Sequence, residues 1–193
     1  MTIEQLAGWS AIVAAAATVI GLVFVGLFFS RGQPWGFWNN VASVVHMLAT
    51  IPVALVVGTL EMERTSTLAV AVAAIGIVGM LAAAGLEATL AARLRTYDQL
   101  LRPTAIAGAV VGVWYVLAGF LGLSGAVPSV LPWWMIAAGF GFIALGYGFA
   151  VGGQRHRLAA FGTWTLSIAS TTFLAWLGIF LVSGKLVVPS WNA

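Results

Sequence analysis

The sequence has little charge and no cysteine. Only 7% of its 193 residues are charged, whereas 62% are hydrophobic. Soluble domains average about 25% charged residues, so a water-soluble fold is excluded. Without cysteine, disulfides, thiolate zinc sites and cysteine-ligated iron–sulfur clusters are excluded as well. The formal charge of +3, from 8 Lys and Arg against 5 Asp and Glu, reflects the scarcity of charge rather than a basic surface, so we expect no nucleic-acid partner.

Histidine is also rare, which limits the cofactors the chain could hold. His46 and His156 are its only histidines, whereas a di-haem cytochrome of the b type needs four axial histidines. We therefore expect no cofactor and no metal site. One alternative stays open, in which His46 ligates a haem together with Met47, Met80 or Met135.

Long hydrophobic runs dominate the rest of the chain. Crossing a membrane takes roughly 20 apolar residues in a helix, and six stretches qualify. They predict an all-α fold, a polytopic membrane bundle of six transmembrane helices, in one domain spanning residues 1–193. The spans are expected at about 8–29, 37–60, 67–90, 104–125, 131–152 and 159–183. The polar turns between them are Arg31–Pro34, Glu61–Arg64, Arg93–Pro103, Ser124–Pro132 and Gln154–Arg157.

Basic residues predict the orientation of these spans. Cytoplasmic loops carry an excess of Lys and Arg. The loops after spans 1, 3 and 5 hold six such residues and the opposite side holds two, Arg64 and Lys185. We therefore expect a multi-pass protein of the inner (cell) membrane with both termini outside the cytoplasm. Tryptophans typical of interfacial belts would then divide into an outer set (Trp133, Trp134, Trp191) and an inner set (Trp35, Trp38).

The two halves of the chain share a pattern. Pro34-Trp35 opens span 2 as Pro132-Trp133 opens span 5. Three helices per repeat would make the halves inverted in the membrane, as in several transporters. This 3+3 inverted repeat is a hypothesis, because apolar helices also resemble each other by composition.

Glycines indicate close helix contacts in spans 4 and 5. Gly108 with Gly112, and Gly148 with Gly152, form GxxxG pairs, which let helix backbones approach each other in lipid. Span 5 also carries Gly139, Gly141 and Gly146, which predicts a nearly bare face. These faces would pack within the chain, or would form the interface with a second copy or a membrane-complex partner.

Polar residues in the spans are the candidate ligand-binding residues. Asn39, Ser43, His46 and Thr50 recur at i, i+4, i+7 and i+11, which places them on one face of span 2. Ionisable groups inside a membrane often mark function. The candidate set adds neighbours expected at similar depth or on one face of span 6: Asn40, Glu87, Ser167 and Thr171, accompanied by Thr163 and Ser170.

Two interpretations of this polar face remain open. In the first, spans 2, 3 and 6 line a polar cavity that opens to the cytoplasm. In the second, Ser and Thr bond their own helix carbonyls and His46 satisfies one neighbour in the core. Glu87 would then reach the interface and pair with Arg31 or Arg93.

No catalytic constellation is evident, so we do not expect an enzyme. Gly122-Leu-Ser124-Gly125 matches the GxSG signature of rhomboid proteases. Those enzymes take their general base from a histidine in a later span, and spans 5 and 6 contain none. Without a base the serine is not activated.

Two stretches carry a resemblance to a known family. They run from Asn39-Asn40-Val-Ala-Ser43 through Pro52, and from Leu131-Pro132-Trp133 through Trp176-Leu-Gly178. On these residues the chain resembles a family of uncharacterised six-helix bacterial integral membrane proteins. Family members often carry an acid where this chain has Asn40. The resemblance implies a bacterial six-helix membrane fold and no particular activity.

The leading hypothesis is a small transport or ligand-binding protein of the bacterial inner membrane. The first alternative is an accessory structural subunit that docks into a larger membrane complex through the glycine faces of spans 4 and 5. The second is a cofactor-binding membrane protein centred on His46.

Overall fold

The structure is a computed structural model. It describes residues 2–124, 128, 130–153, 156–186 and 188, except for the side chains of 62–65. Six helices are long and apolar enough to span a membrane. No strand occurs within these ranges. The helices are α1 (Ile3–Arg31), α2 (Trp35–Glu61), α3 (Ser66–Ala91), α4 (Tyr97–Gly122), α5 (Val130–Gly152) and α6 (Arg157–Val182).

The helical segment that contains α2 and α3 folds back on itself. A Cβ built at Gly58 in α2 would lie 3.1 Å from Ala73 Cβ in α3. Fifteen residues of straight helix would separate these positions by about 22 Å. The two spans therefore pack side by side in opposite directions.

The six helices form a closed ring. Each consecutive pair packs together, and α6 packs against α1. All helix contacts are antiparallel, so the connections α1–α2, α3–α4 and α5–α6 lie at one end of the ring. We call this the arginine end, because exposed Arg31, Arg93, Arg95 and Arg102 lie there. The other is the Glu61 end.

Glycines hold most of these contacts at short distance. A Cβ at Gly112 in α4 would lie 2.7 Å from Gly139 O in α5, and one at Gly178 in α6 would lie 2.8 Å from Gly8 O in α1. Side chains would force these backbones apart, as expected for helices that associate in lipid. The contacts are within the chain.

Two of the predicted glycines make no close contact with another helix of the chain. A Cβ at Gly108 would meet nothing within 4 Å, and Gly152 approaches His156 in the adjoining turn rather than another helix. The glycines of α5 are also split between two faces. Gly139 and Gly146 approach α4, whereas Gly141 and Gly148 approach α6, because a helix in a ring has two neighbours.

The predicted boundaries of span 4 are also wrong. The helix begins at Tyr97 rather than 104 and includes Pro103. Thr96 and Gln99 form a capping box, in which each side chain satisfies a backbone N–H of the first turn. This cap fixes the start of the helix, so Pro103 does not mark its boundary.

Several predicted features lie outside the described residues. These are Gln154 and Arg155 in the turn after α5, Gly125 of the GxSG match and Trp191, together with the side chains of Met62, Glu63 and Arg64. The inverted repeat and the membrane orientation stay predictions.

Candidate functional site

The polar face of α2 points into the ring. On this helix Ala42 faces α1 and Gly58 faces α3, and the polar face lies between these two directions. His46 and Thr50 are buried, whereas Asn39 and Ser43, nearer the arginine end, are half-buried. The exposed Leu48 and Leu55 occupy the opposite side of the helix.

His46 is bonded to helix α1. Its Nδ1 lies 3.1 Å from Ala14 O and 2.8 Å from Thr18 Oγ1. Thr18 Oγ1 also donates to Ala14 O at 3.0 Å. A protonated Nδ1 satisfies all three contacts, because it can donate to both oxygens. His46 therefore ties α2 to α1 at mid-span, as the second interpretation of the polar face expects.

Glu87 pairs with Asn40 across the α2–α3 contact. In the amide orientation that its surroundings favour, the Asn40 NH₂ donates to Glu87 Oε2 and to Gly36 O, each at 3.2 Å. The expected pairing of Glu87 with Arg31 or Arg93 does not form in the described structure. Glu87 thus lies within a span, and the hydrogen-bond partner of its carboxyl group is an uncharged amide.

Helix α6 contributes a second polar face across the ring. Thr163, Ser167 and Ser170 follow the spacing i, i+4, i+7 and point inward. Thr171 departs from this face. It lies two turns before Gly178, on the side that packs against α1. Because α6 does not pack directly against α2 or α3, these hydroxyls face the α2 residues across the interior.

Helix α4 completes the lining with residues that the sequence analysis missed. Thr104, Gly108, Val111 and Tyr115 repeat the spacing of the α2 face. Thr104 Oγ1 and Tyr115 Oη are buried without a hydrogen-bond partner in the described structure, and Gly108 leaves open space. The shared spacing of the two helices was a signal that could have identified them.

An aromatic layer closes the interior at mid-span. The Tyr115 ring lies 5.7 Å from the Phe142 ring and 5.9 Å from the Phe173 ring. The imidazole of His46 lies 6.4 Å from the Phe142 ring. Four side chains from four helices thus meet at the centre of the ring.

The interior differs on the two sides of this layer. Toward the arginine end lies the polar half, consisting of Asn39, Asn40, Ser43, Glu87, Thr104, Thr163 and Ser167. Toward the Glu61 end lies the apolar half, where buried residues include Val53, Val57, Ala118, Leu131, Met135, Leu174, Leu177 and Leu181. The Glu61 end also holds buried Thr50, Thr59 and Glu61, but the two threonines donate to their own helix carbonyls. The amide groups and Glu87 lie on the arginine side of the aromatic layer.

Two other features lie at the Glu61 end, away from the polar half. Glu61, expected in a turn, is buried at the end of α2, with Oε1 3.8 Å from the Cβ position of Gly122 in α4. A cavity of about 180 Å³ lies at the same end, between α1 and α6, and is lined by residues that include Glu4, Gln5 and Leu181. It is remote from the polar half.

The described residues contain no cluster of His, Asp and Glu that could hold a metal ion. Ser124 of the GxSG match is exposed and donates to Leu121 O at 3.0 Å. Comparisons with protein-family models, curated proteins and solved structures found no match. The function has to be argued from the ring interior.

Proposed function

We propose that this membrane protein is a small transport or ligand-binding protein, and that the polar half admits a small polar solute from the arginine end. One observation carries the proposal. Polar groups from α2, α3, α4 and α6 converge on one half of a closed helix ring, and they include a carboxyl group with an uncharged partner.

Polar groups within a membrane are costly unless they are hydrogen-bonded. An unpartnered amide or hydroxyl in an apolar environment costs roughly 2–7 kcal/mol. Water or a polar solute in the interior would remove that cost. The half-buried state of Asn39, Ser43 and Glu87 is consistent with access from the arginine end.

The lining indicates the class of solute. Glu87 is acidic and Asn39 and Asn40 each offer a carbonyl oxygen, whereas Arg31, Arg93, Arg95 and Arg102 at the same end are exposed. Such a surface favours solutes that carry hydrogen-bond donors or positive charge. The aromatic layer would form the floor of the binding site.

The two alternatives have less support. Most of the glycines that suggested a docking face are used in contacts between helices of the same chain, namely Gly112, Gly139, Gly141, Gly146 and Gly148. The His46 imidazole uses Nδ1 for α1 and lies against Phe142, so a cofactor would have to bind at Nε2 and displace aromatic side chains.

A single cysteine at Ser43 tests the proposal, since the chain has no cysteine of its own. The Ser43→Cys substitution is nearly isosteric. The variant protein is treated with a membrane-impermeant thiol reagent in right-side-out and in everted vesicles. Leu48→Cys, on the lipid-facing side of α2, is the matched control. A thiol must ionise to react, so a lipid-facing cysteine should stay unlabelled.

The sidedness of labelling separates the functions. Labelling of Ser43→Cys from both sides is expected of a transporter that alternates its access. Labelling from one side is expected of a ligand-binding protein. Protection from both sides, with the protein folded, would contradict the proposal and favour the structural subunit.

A further inference from the structure

Two buried hydroxyl groups in the centre of the ring have no hydrogen-bond partner in the described structure. They are Tyr115 Oη in α4 and Ser170 Oγ in α6, and both residues are 0% exposed. Native proteins leave few buried polar atoms unsatisfied, and each such atom calls for an explanation such as a bound water.

Ser170 could have satisfied itself locally. Thr50, Thr163 and Thr172 each donate to the carbonyl oxygen four residues earlier in their own helix, at 2.7–2.8 Å. The equivalent acceptor for Ser170 is Leu166 O, and the hydroxyl does not bond to it. Its side chain is directed away from its own helix carbonyl.

The two hydroxyls belong to the same layer of the interior. The Tyr115 ring stands edge-on to the Phe173 ring, and Ser170 lies one turn before Phe173 on α6. Helices α4 and α6 both begin at the arginine end, and helical side chains lean toward the start of their helix. The phenol of Tyr115 therefore extends from the level of Phe173 toward the level of Ser170.

We propose that Tyr115 and Ser170 jointly bind one small uncharged molecule that both donates and accepts hydrogen bonds, for which water is the probe. A hydroxyl can act as donor or acceptor, so one such molecule can satisfy both groups. The surrounding Phe142, Phe173 and Trp114 rings would deprive a charged ligand of its hydration. The inference is independent of the function proposed above, since a structural subunit would need the same bound molecule.

Deletion of a hydroxyl should change Tm in opposite directions for an occupied and a dry site. Tm should fall if a molecule is bound and rise if the site is dry. We compare Tyr115→Phe, Ser170→Ala and the double variant by thermal unfolding in detergent. Thr172→Val is the control, because it removes a hydroxyl that bonds its own helix. If the site is occupied, each single variant should lower Tm by about 2–8 °C. The double variant should lower Tm by no more than the larger of the two single effects, because each single substitution already weakens the binding of the same molecule.

A direct measurement accompanies the melting curves. A high-resolution structure should show non-protein density within hydrogen-bonding distance of both Tyr115 Oη and Ser170 Oγ, and this density should disappear in the double variant. An increase of Tm in the single variants would overturn the inference, since it indicates dry, unsatisfied hydroxyls. Non-additive losses without that density would overturn it too, because they indicate a direct Tyr115–Ser170 bond.

Discussion

At the scale of single residues, the polar face of α2 divides into groups with different surroundings. His46 and Thr50 are buried, with hydrogen bonds to Ala14 O and to the helix's own backbone. Asn39 and Ser43 are half-buried near the arginine end. The spacing predicted that these residues share a face. It could not predict that α1 would supply the partner of His46, because that depends on which helix packs alongside.

Replacing His46 should therefore mainly affect stability. His46→Ala removes the hydrogen bonds that tie α2 to Ala14 O and to the half-buried Thr18 Oγ1 of α1. These two atoms still bond to each other, so we expect the loss of a hydrogen bond, about 0.5–1.5 kcal/mol. Chemical unfolding in detergent measures this loss, with Thr172→Val as the control. An unchanged free energy of unfolding would show that the bond to α1 contributes nothing.

Glu87 should attract positively charged solutes to the polar half. In a Ser43→Cys background, we measure the reaction rates of a trimethylammonium-carrying and a sulfonate-carrying methanethiosulfonate. The ratio of the two rates should exceed the ratio for a small thiol in solution several-fold, because a carboxylate concentrates cations near it. Adding Glu87→Gln should lower the ratio toward the solution value. Glu4→Gln, at the far end of α1, is the control. A ratio that Glu87→Gln leaves unchanged would contradict this role.

At the scale of helices, hydropathy predicted six spans and the structure confirms six. Pro103 wrongly predicts the start of α4, because Thr96 and Gln99 carry the T-x-x-Q pattern of a capping box and the helix begins at Tyr97. The lateral order of the helices could not be predicted, since apolar surfaces do not specify their neighbours. The split of the α5 glycines between α4 and α6 follows from that order.

Two glycines on the same helix test the packing. Gly112→Ala would place a Cβ 2.7 Å from Gly139 O, whereas Gly108→Ala would meet open space. We expect the first change to cost about 1–3 kcal/mol through overpacking. The second should be neutral or stabilising by up to about 1 kcal/mol, because alanine is the better helix former. Equal unfolding free energies for the two variants would contradict the α4–α5 contact.

At the scale of the whole molecule, the ring separates a polar half from an apolar half, and the positive-inside rule predicts that the polar half faces the cytoplasm. Reporter domains fused after Arg64 and after Arg102 measure this orientation. We expect the first fusion to report the outside and the second the cytoplasm. Reversed signals would place the polar half on the outer side of the membrane.

The asymmetry of the interior is most directly tested on α6, across the ring from α2. Ser167→Cys lies in the polar half and Leu177→Cys in the apolar half, and both native side chains are buried. The measurement is the rate at which each cysteine reacts with a small water-soluble thiol reagent in the folded protein. We expect a measurable rate at position 167 and none at position 177. Equal rates, or reaction at 177 alone, would contradict a solvent-accessible polar half.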